Sequence, residues 1–114
     1  MSRRDPTVSL HHMLDYAREA YLLAQDHTRA EFDSNRILNL ALTRLLEIIG
    51  ESANRIPVEN QLRHPGIDWT QIIGMRNRLI HGYDILDLDV VWDTITEDLP
   101  TLIQALESIL ESQE

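Results

Sequence analysis

From Leu88 through Trp92, Ile95, Leu99, Leu102, Leu106 and Leu110, apolar residues hold a single phase at three- and four-residue spacing, which commits the last quarter of the chain to one helical face. Pro100 falls inside that phase, so it is expected to kink one helix rather than divide two domains. The same periodicity recurs upstream. Leu10, Leu14, Ala17, Tyr21 and Ala24 form a stripe behind Asp5 as N-cap and Pro6 at the first helical position, with an end expected near residues 26–28. A second helix is expected from Asp33 or Ser34 to Arg55, where Pro57 forbids continuation. Its apolar residues, Ile37, Leu38, Ala41, Leu42, Leu45, Ile48 and Ile49, cover more than one face, as in a central helix packed on several sides. Gly50 within it costs about 1 kcal/mol of helix propensity, a cost that close approach of a neighbouring helix would offset.

Residues 58–67 read as a loop with a turn at His64-Pro65-Gly66. The third helix then starts at Asp68 as cap, with Gln71 three residues on and Ile67 placed to staple to Ile72. Trp69, Ile72, Ile73, Leu79 and Ile80 supply its apolar stripe, and Gly82 follows His81 as a left-handed stop. The chain is therefore expected to be all-α, an antiparallel bundle of four to five helices in one domain, residues 1–114. At 114 residues it buries roughly two-thirds of its unfolded surface, and a dimer would add to that burial.

Arg76-Asn77-Arg78-Leu79-Ile80-His81-Gly82-Tyr83 is the segment that carries chemistry. Arginine keeps its charge and offers a planar fork to phosphate, while histidine exchanges a proton near neutral pH. Cleavage of RNA by its own 2′-hydroxyl needs those two services and no metal. In isolation an R-x4-H pair is ordinarily a solvated arginine and a histidine facing the helix dipole. On a straight helix the two lie roughly 140° apart, so one helix does not aim both at one phosphate. Asn77, one turn before His81, either fixes the imidazole or touches ribose, or is simply exposed; Arg78 is a supporting phosphate contact or an ion-pair partner. Asn39, Thr43, Glu47, Glu51 and Asn54 form a polar stripe on the second helix whose simpler reading is a solvated face.

Context adds to the motif. From Leu45 to Leu102 the chain reads LLEIIGESANRIP, HPGIDWTQIIGMRNRLIHGYD and LDLDVVWDTITEDLPTL, and it resembles, phrase by phrase, the HepT-like branch of the HEPN superfamily. These are small helical proteins that act as toxins beside MntA-type nucleotidyltransferase antitoxins. The resemblance implies a metal-independent endoribonuclease with no cofactor, its catalytic residues Arg76 and His81, supported by Asn77, Arg78 and Glu51. It also implies a homodimer in which two copies of the motif line one RNA cleft, with a larger hetero-oligomer open once the antitoxin binds. Tyr83 would be the acceptor of AMP from the nucleotidyltransferase. A non-catalytic HEPN protein that binds nucleotides or scaffolds a nucleotidyltransferase is the alternative, and the intact R-x4-H favours catalysis over it.

Ten arginines, no lysine and nineteen acidic residues give a formal charge of −9, which by itself argues against a nucleic-acid binder. The excess is local. Residues 84–114 hold nine acidic side chains and no basic one, whereas residues 1–83 balance ten against ten. Weak non-specific affinity for RNA follows. The absence of cysteine excludes disulfides and thiolate metal sites. His11, His12, His27 and His64 lack ligand spacing, so no metal is expected. Asp84, Asp87 and Asp89 suit helix capping better than a cation loop, and Trp69 and Trp92 suit the core. The apolar runs are too short for a bilayer and no leader is apparent, so a cytoplasmic protein is expected.

Overall fold

Asp5 opens the first helix as its sequence position predicts: its side chain accepts the Thr7 N–H at 2.8 Å, Pro6 takes the first helical position, and α1 runs Pro6–Gln25. The computed structural model describes residues 5–81 and 85–112, and of His81 the backbone alone. In chain order the remaining elements are α2 (Arg29–Ser34), α3 (Arg36–Asn54), α4 (Val58–Leu62), α5 (Trp69–Ile73), α6 (Met75–Leu79), β1 (Ile80–His81), β2 (Ile85–Leu86), α7 (Leu88–Asp93), a π-helical turn (Thr94–Asp98) and α8 (Leu99–Ser112). The all-helical fold expected from the periodicity is the fold that forms.

Two expected boundaries move. The segment between α1 and α3 contains its own helix, opened by a reciprocal capping box in which the Thr28 hydroxyl accepts the Glu31 N–H and the Glu31 carboxylate accepts the Thr28 N–H. That hydrogen bond holds the Glu31 carboxyl below its ordinary pKa. Asn35 then ends α2 and caps α3, its side chain accepting the Leu38 N–H at 3.0 Å. The stretch expected as a loop after Pro57 holds the short helix α4.

The central position of α3 comes from its buried residues. Leu42, Leu46 and Ile49 are buried where α3 packs on α1, whose Met13, Ala17 and Ala20 are buried too; α5, α6 and α7 also pack on α3, and α8 lies against α1 with Leu99 and Leu106 buried. The upper part of the stripe expected to be solvated is buried instead. Asn39 donates to the Phe32 carbonyl, which pins α2 onto α3, and Thr43 donates to the Asn39 carbonyl at 2.8 Å within α3, so both polar groups are satisfied. Phe32 in turn stacks on Trp92 with ring centroids 5.1 Å apart.

Gly50 sets the spacing of the next layer. A Cβ placed there would lie 2.8 Å from the Ile72 carbonyl oxygen, closer than atoms can approach, so α5 rests against the bare backbone of α3. Asp68 caps α5 as expected, accepting the Gln71 N–H at 3.1 Å, and Ile67 and Ile72 are both buried. The expected continuous third helix is nevertheless interrupted at Gly74, whose N–H closes α5 on the Thr70 carbonyl before the chain resumes as α6. Met75 then joins Leu79 in the core, while Ile73 and Ile80 of the predicted stripe are half-buried.

Near Pro100 the expected kink takes a specific form. Proline cannot donate, and its ring crowds the carbonyl four residues earlier. The turn before it widens, with the Leu99 N–H reaching five residues back to Thr94. Ile95, Leu99, Leu102, Leu106 and Leu110 stay on the buried face across this wide turn. Replacing Gly50 by Ala gains about 1 kcal/mol of helix propensity but forces a backbone shift that costs about 1–3 kcal/mol. We expect Gly50→Ala to lower the urea midpoint, and a midpoint at or above the parent's would show that α3 and α5 can part without loss.

Candidate active site

Arg76 lies on α6, and His81 does not. Helical geometry ends at Leu79; Ile80 is extended, with φ −122° and ψ 126°, and pairs with Leu86, while His81 pairs with Ile85. The Asp87 N–H donates to the Leu79 carbonyl at 2.7 Å and closes the base of this hairpin. The expectation that the motif occupies the last turn of one helix is therefore corrected. Its physical reason is pairing across the hairpin: the ladder satisfies groups that a helix end would leave open, and β-branched Ile80 and Ile85 are at ease in extended backbone. The roughly 140° separation, a property of a straight helix, does not apply across this change of backbone. Gly82, Tyr83 and Asp84, including the left-handed stop and the tyrosine singled out above, lie outside the described residues.

The Arg76 side chain is 73 % exposed and places Nε 3.5 Å from Oε2 of Glu47, whose side chain is 16 % exposed. Arg44 reaches the other oxygen of Glu47 at 4.0 Å and Glu51 at 3.2 Å. Glu51, expected to orient Arg76 or His81, is thus an exposed partner of Arg44, and the carboxylate that meets Arg76 is Glu47, one turn earlier on α3. Geometry explains the exchange: Gly50 brings α5 against α3, and α6 follows beside the turn that carries Glu47. The available signal in the sequence was a charged residue one turn from a helix-crossing glycine, within a stripe that spacing alone assigns to solvent.

Asn77 and Arg78 are exposed, but Arg78 faces elsewhere. It lines a cavity of about 230 Å³ between α5–α6 and the π turn with α8, where Glu97, Asp98 and Asp68 ring a floor that includes Ile72, Met75 and Leu102. Arg76 turns to α3 and Arg78 to α8, as residues two apart on a helix must. Of the two tryptophans, Trp69 is buried and donates its indole N–H to the His64 carbonyl at 3.0 Å, and Trp92 is half-buried against Phe32. Asp87 caps α7, accepting the Val90 N–H at 3.2 Å. Among the described residues no three His, Asp or Glu side chains gather as a metal site would require, and no helix is long and apolar enough to cross a membrane.

The family model for HepT-like ribonucleases matches residues 13–109. The chain belongs to the HepT-like ribonuclease family. Two candidate RNases of Methanocaldococcus jannaschii are each 32 % identical to it, one over 96 % of this chain and all of its own length, the other over 100 % and 98 %. A candidate ribonuclease HepT of Thermococcus cleftensis is 38 % identical over 78 % of this chain and 84 % of its own. No solved structure gives a significant match. Membership makes RNA cleavage the assay for these positions. Since Arg78 lines an acidic cavity away from Glu47, Arg78→Ala should leave the cleavage rate within about threefold of the parent and stability within about 0.5 kcal/mol. A hundredfold loss of cleavage in that variant would place Arg78 at the substrate.

Proposed function

We propose that this protein is a metal-independent endoribonuclease in which Arg76 and His81 act on one phosphodiester, and that it serves as the toxin of a toxin–antitoxin pair. The observation that carries the reading is the exposed Arg76 guanidinium, held by Glu47 on the helix that leads directly into the strand bearing His81, in a chain that belongs to a ribonuclease family. His81 removes the 2′-hydroxyl proton, the freed oxygen attacks phosphorus, and the 5′-oxygen leaves with a proton from a second imidazole. A 2′,3′-cyclic phosphate and a 5′-hydroxyl result. Arg76 stabilises the charge that builds on the phosphoryl oxygens, and Asn77 lies within the motif to support ribose or imidazole.

The second imidazole belongs to a second copy of the chain. With the helix ending before His81, the angular argument for two subunits falls away, and the dimer rests on the family resemblance. It is supported by the face of α3 that continues from Arg44 toward the N-terminus of that helix, where Ile37 is 80 % and Leu40 47 % exposed. Arg76→Ala and His81→Ala should each lower cleavage by about 10²–10⁴-fold with unchanged helical content. Cleavage should persist in EDTA. Activity that needs added magnesium, or that survives His81→Ala undiminished, rejects the assignment.

An MntA-type nucleotidyltransferase is the proposed antitoxin. The Tyr83 phenol would attack the α-phosphate of ATP, release pyrophosphate and surrender its proton to solvent, leaving an adenylate two residues from His81. The added phosphate repels RNA and the base fills its path. Tyr83→Phe should therefore cleave RNA normally and escape covalent silencing when incubated with the partner, ATP and magnesium. Intact mass decides between the outcomes: unmodified Tyr83 in a silenced complex would leave inhibition by contact alone.

A further inference from the structure

We propose that Glu47 is a positioning residue for Arg76, holding its guanidinium by the Nε edge so that the terminal nitrogens are presented to phosphate. The inference rests on the ribonuclease reading for its catalytic meaning and on geometry for the contact itself. Arginine has many rotamers, and an exposed one that must meet a transition state loses that freedom during the reaction unless something has already fixed it. Arg76 is 73 % exposed and touches one carboxylate among the described residues, that of Glu47. Glu47 is the group able to fix it, because at 16 % exposure its own side chain is confined. Its backbone lies one turn from Gly50, where α3 and α5 are in direct contact, so the anchor is set beside a close-packed helix crossing.

The bonding edge matters. A carboxylate across both terminal nitrogens would compete with phosphate for the same fork, whereas the contact at 3.5 Å is through Nε. Arg44 completes the arrangement from the far side, 4.0 Å from the other Glu47 oxygen and itself steadied by Glu51 at 3.2 Å. Two guanidiniums thus bracket one carboxylate. The same negative charge lowers the pull of this surface on RNA. Loss of Glu47 therefore has two opposite consequences: the bound state gains attraction while the transition state loses an ordered cation.

The experiment compares the parent, Glu47→Ala and Glu47→Gln by steady-state cleavage of a single-stranded RNA oligonucleotide, with thermal unfolding as the fold control. Glu47→Ala should lower kcat at least tenfold while KM stays equal or falls. Glu47→Gln, which keeps the size of the side chain and an oxygen facing Nε but not the charge, should recover part of kcat. The ¹⁵N-edited signal of the Arg76 Nε–H, assigned by its loss in Arg76→Lys, should move on Glu47→Ala and return partway in Glu47→Gln. Parental kcat in folded Glu47→Ala, or a loss expressed wholly as raised KM, overturns the positioning role. An Arg76 Nε–H signal indifferent to Glu47→Ala overturns the contact. A parent that cleaves no RNA while its Nε–H signal still answers to Glu47 overturns the ribonuclease reading and leaves the contact standing.

Discussion

Gly50 is where the backbone of α3 meets the carbonyl of Ile72, and the positions of α5, α6 and the hairpin beyond them follow from that contact. Without a side chain at this point the two helices approach to backbone distance, which lets Ile72 and Met75 reach the core from a segment broken at Gly74. A single-residue bearing of this kind fixes position better than a broad apolar face, since interiors are close-packed and slide little. Arg76 and the strand that carries His81 lie downstream of it in the chain, and Glu47 and Arg44 lie within two turns upstream of it on α3.

The consequence for the site is that its parts belong to different kinds of structure. Glu47 and Arg44 sit on a long, multiply packed helix; Arg76 sits on a five-residue helix; His81 begins a hairpin. Stability falls along that series, because the hairpin has two residues per strand and the short helix depends on Met75 and Leu79 for burial. The ion pair with Glu47 ties the arginine of this short helix to the long, multiply packed one rather than to its own neighbours. It also separates Arg76 from Arg78, which the same short helix turns toward the acidic cavity beside α8.

Much of this was legible in the residues. Asp5-Pro6, Asp68 with Gln71, and the unbroken phase through Leu110 located helix starts and the buried face correctly, because caps and periodicity are local signals. Thr28 and Glu31 carry an equally local signal for α2, a capping box on a helix of six residues that is too short to show a periodicity. The ends were harder. Whether the chain leaves Leu79 as helix or strand depends on pairing of Ile80 with Leu86 across a hairpin, a tertiary contact that propensity does not specify. The choice between Glu47 and Glu51 as the partner of Arg76 was likewise undecidable from spacing, since both lie on one stripe and the crossing point of α5 selects between them. Asn39 reads as solvent-facing for the same reason: what buries it is the packing of α2, whose Phe32 carbonyl accepts its side-chain N–H.

Charge closes the physical account. The acidic residues concentrated after residue 84 are partly engaged in holding the bundle together, Asp89 with Arg29 of α2 and Glu107 with Arg18 of α1. Arg29, bonded to both Asp33 and Asp89, has its pKa raised by those hydrogen bonds. These are exposed pairs and contribute little stability each, yet they remove two cations from the pool available to a polyanion. At the site itself Arg44 and Arg76 face Glu47 and Glu51, two charges against two, so the surface is close to neutral beyond a Debye length of about 8 Å. Long-range attraction cannot then be what brings RNA to this protein. Recognition has to come from contacts made at short range, where an oriented guanidinium still outweighs a neighbouring carboxylate that is turned to its other edge, so selectivity rests on shape rather than on charge.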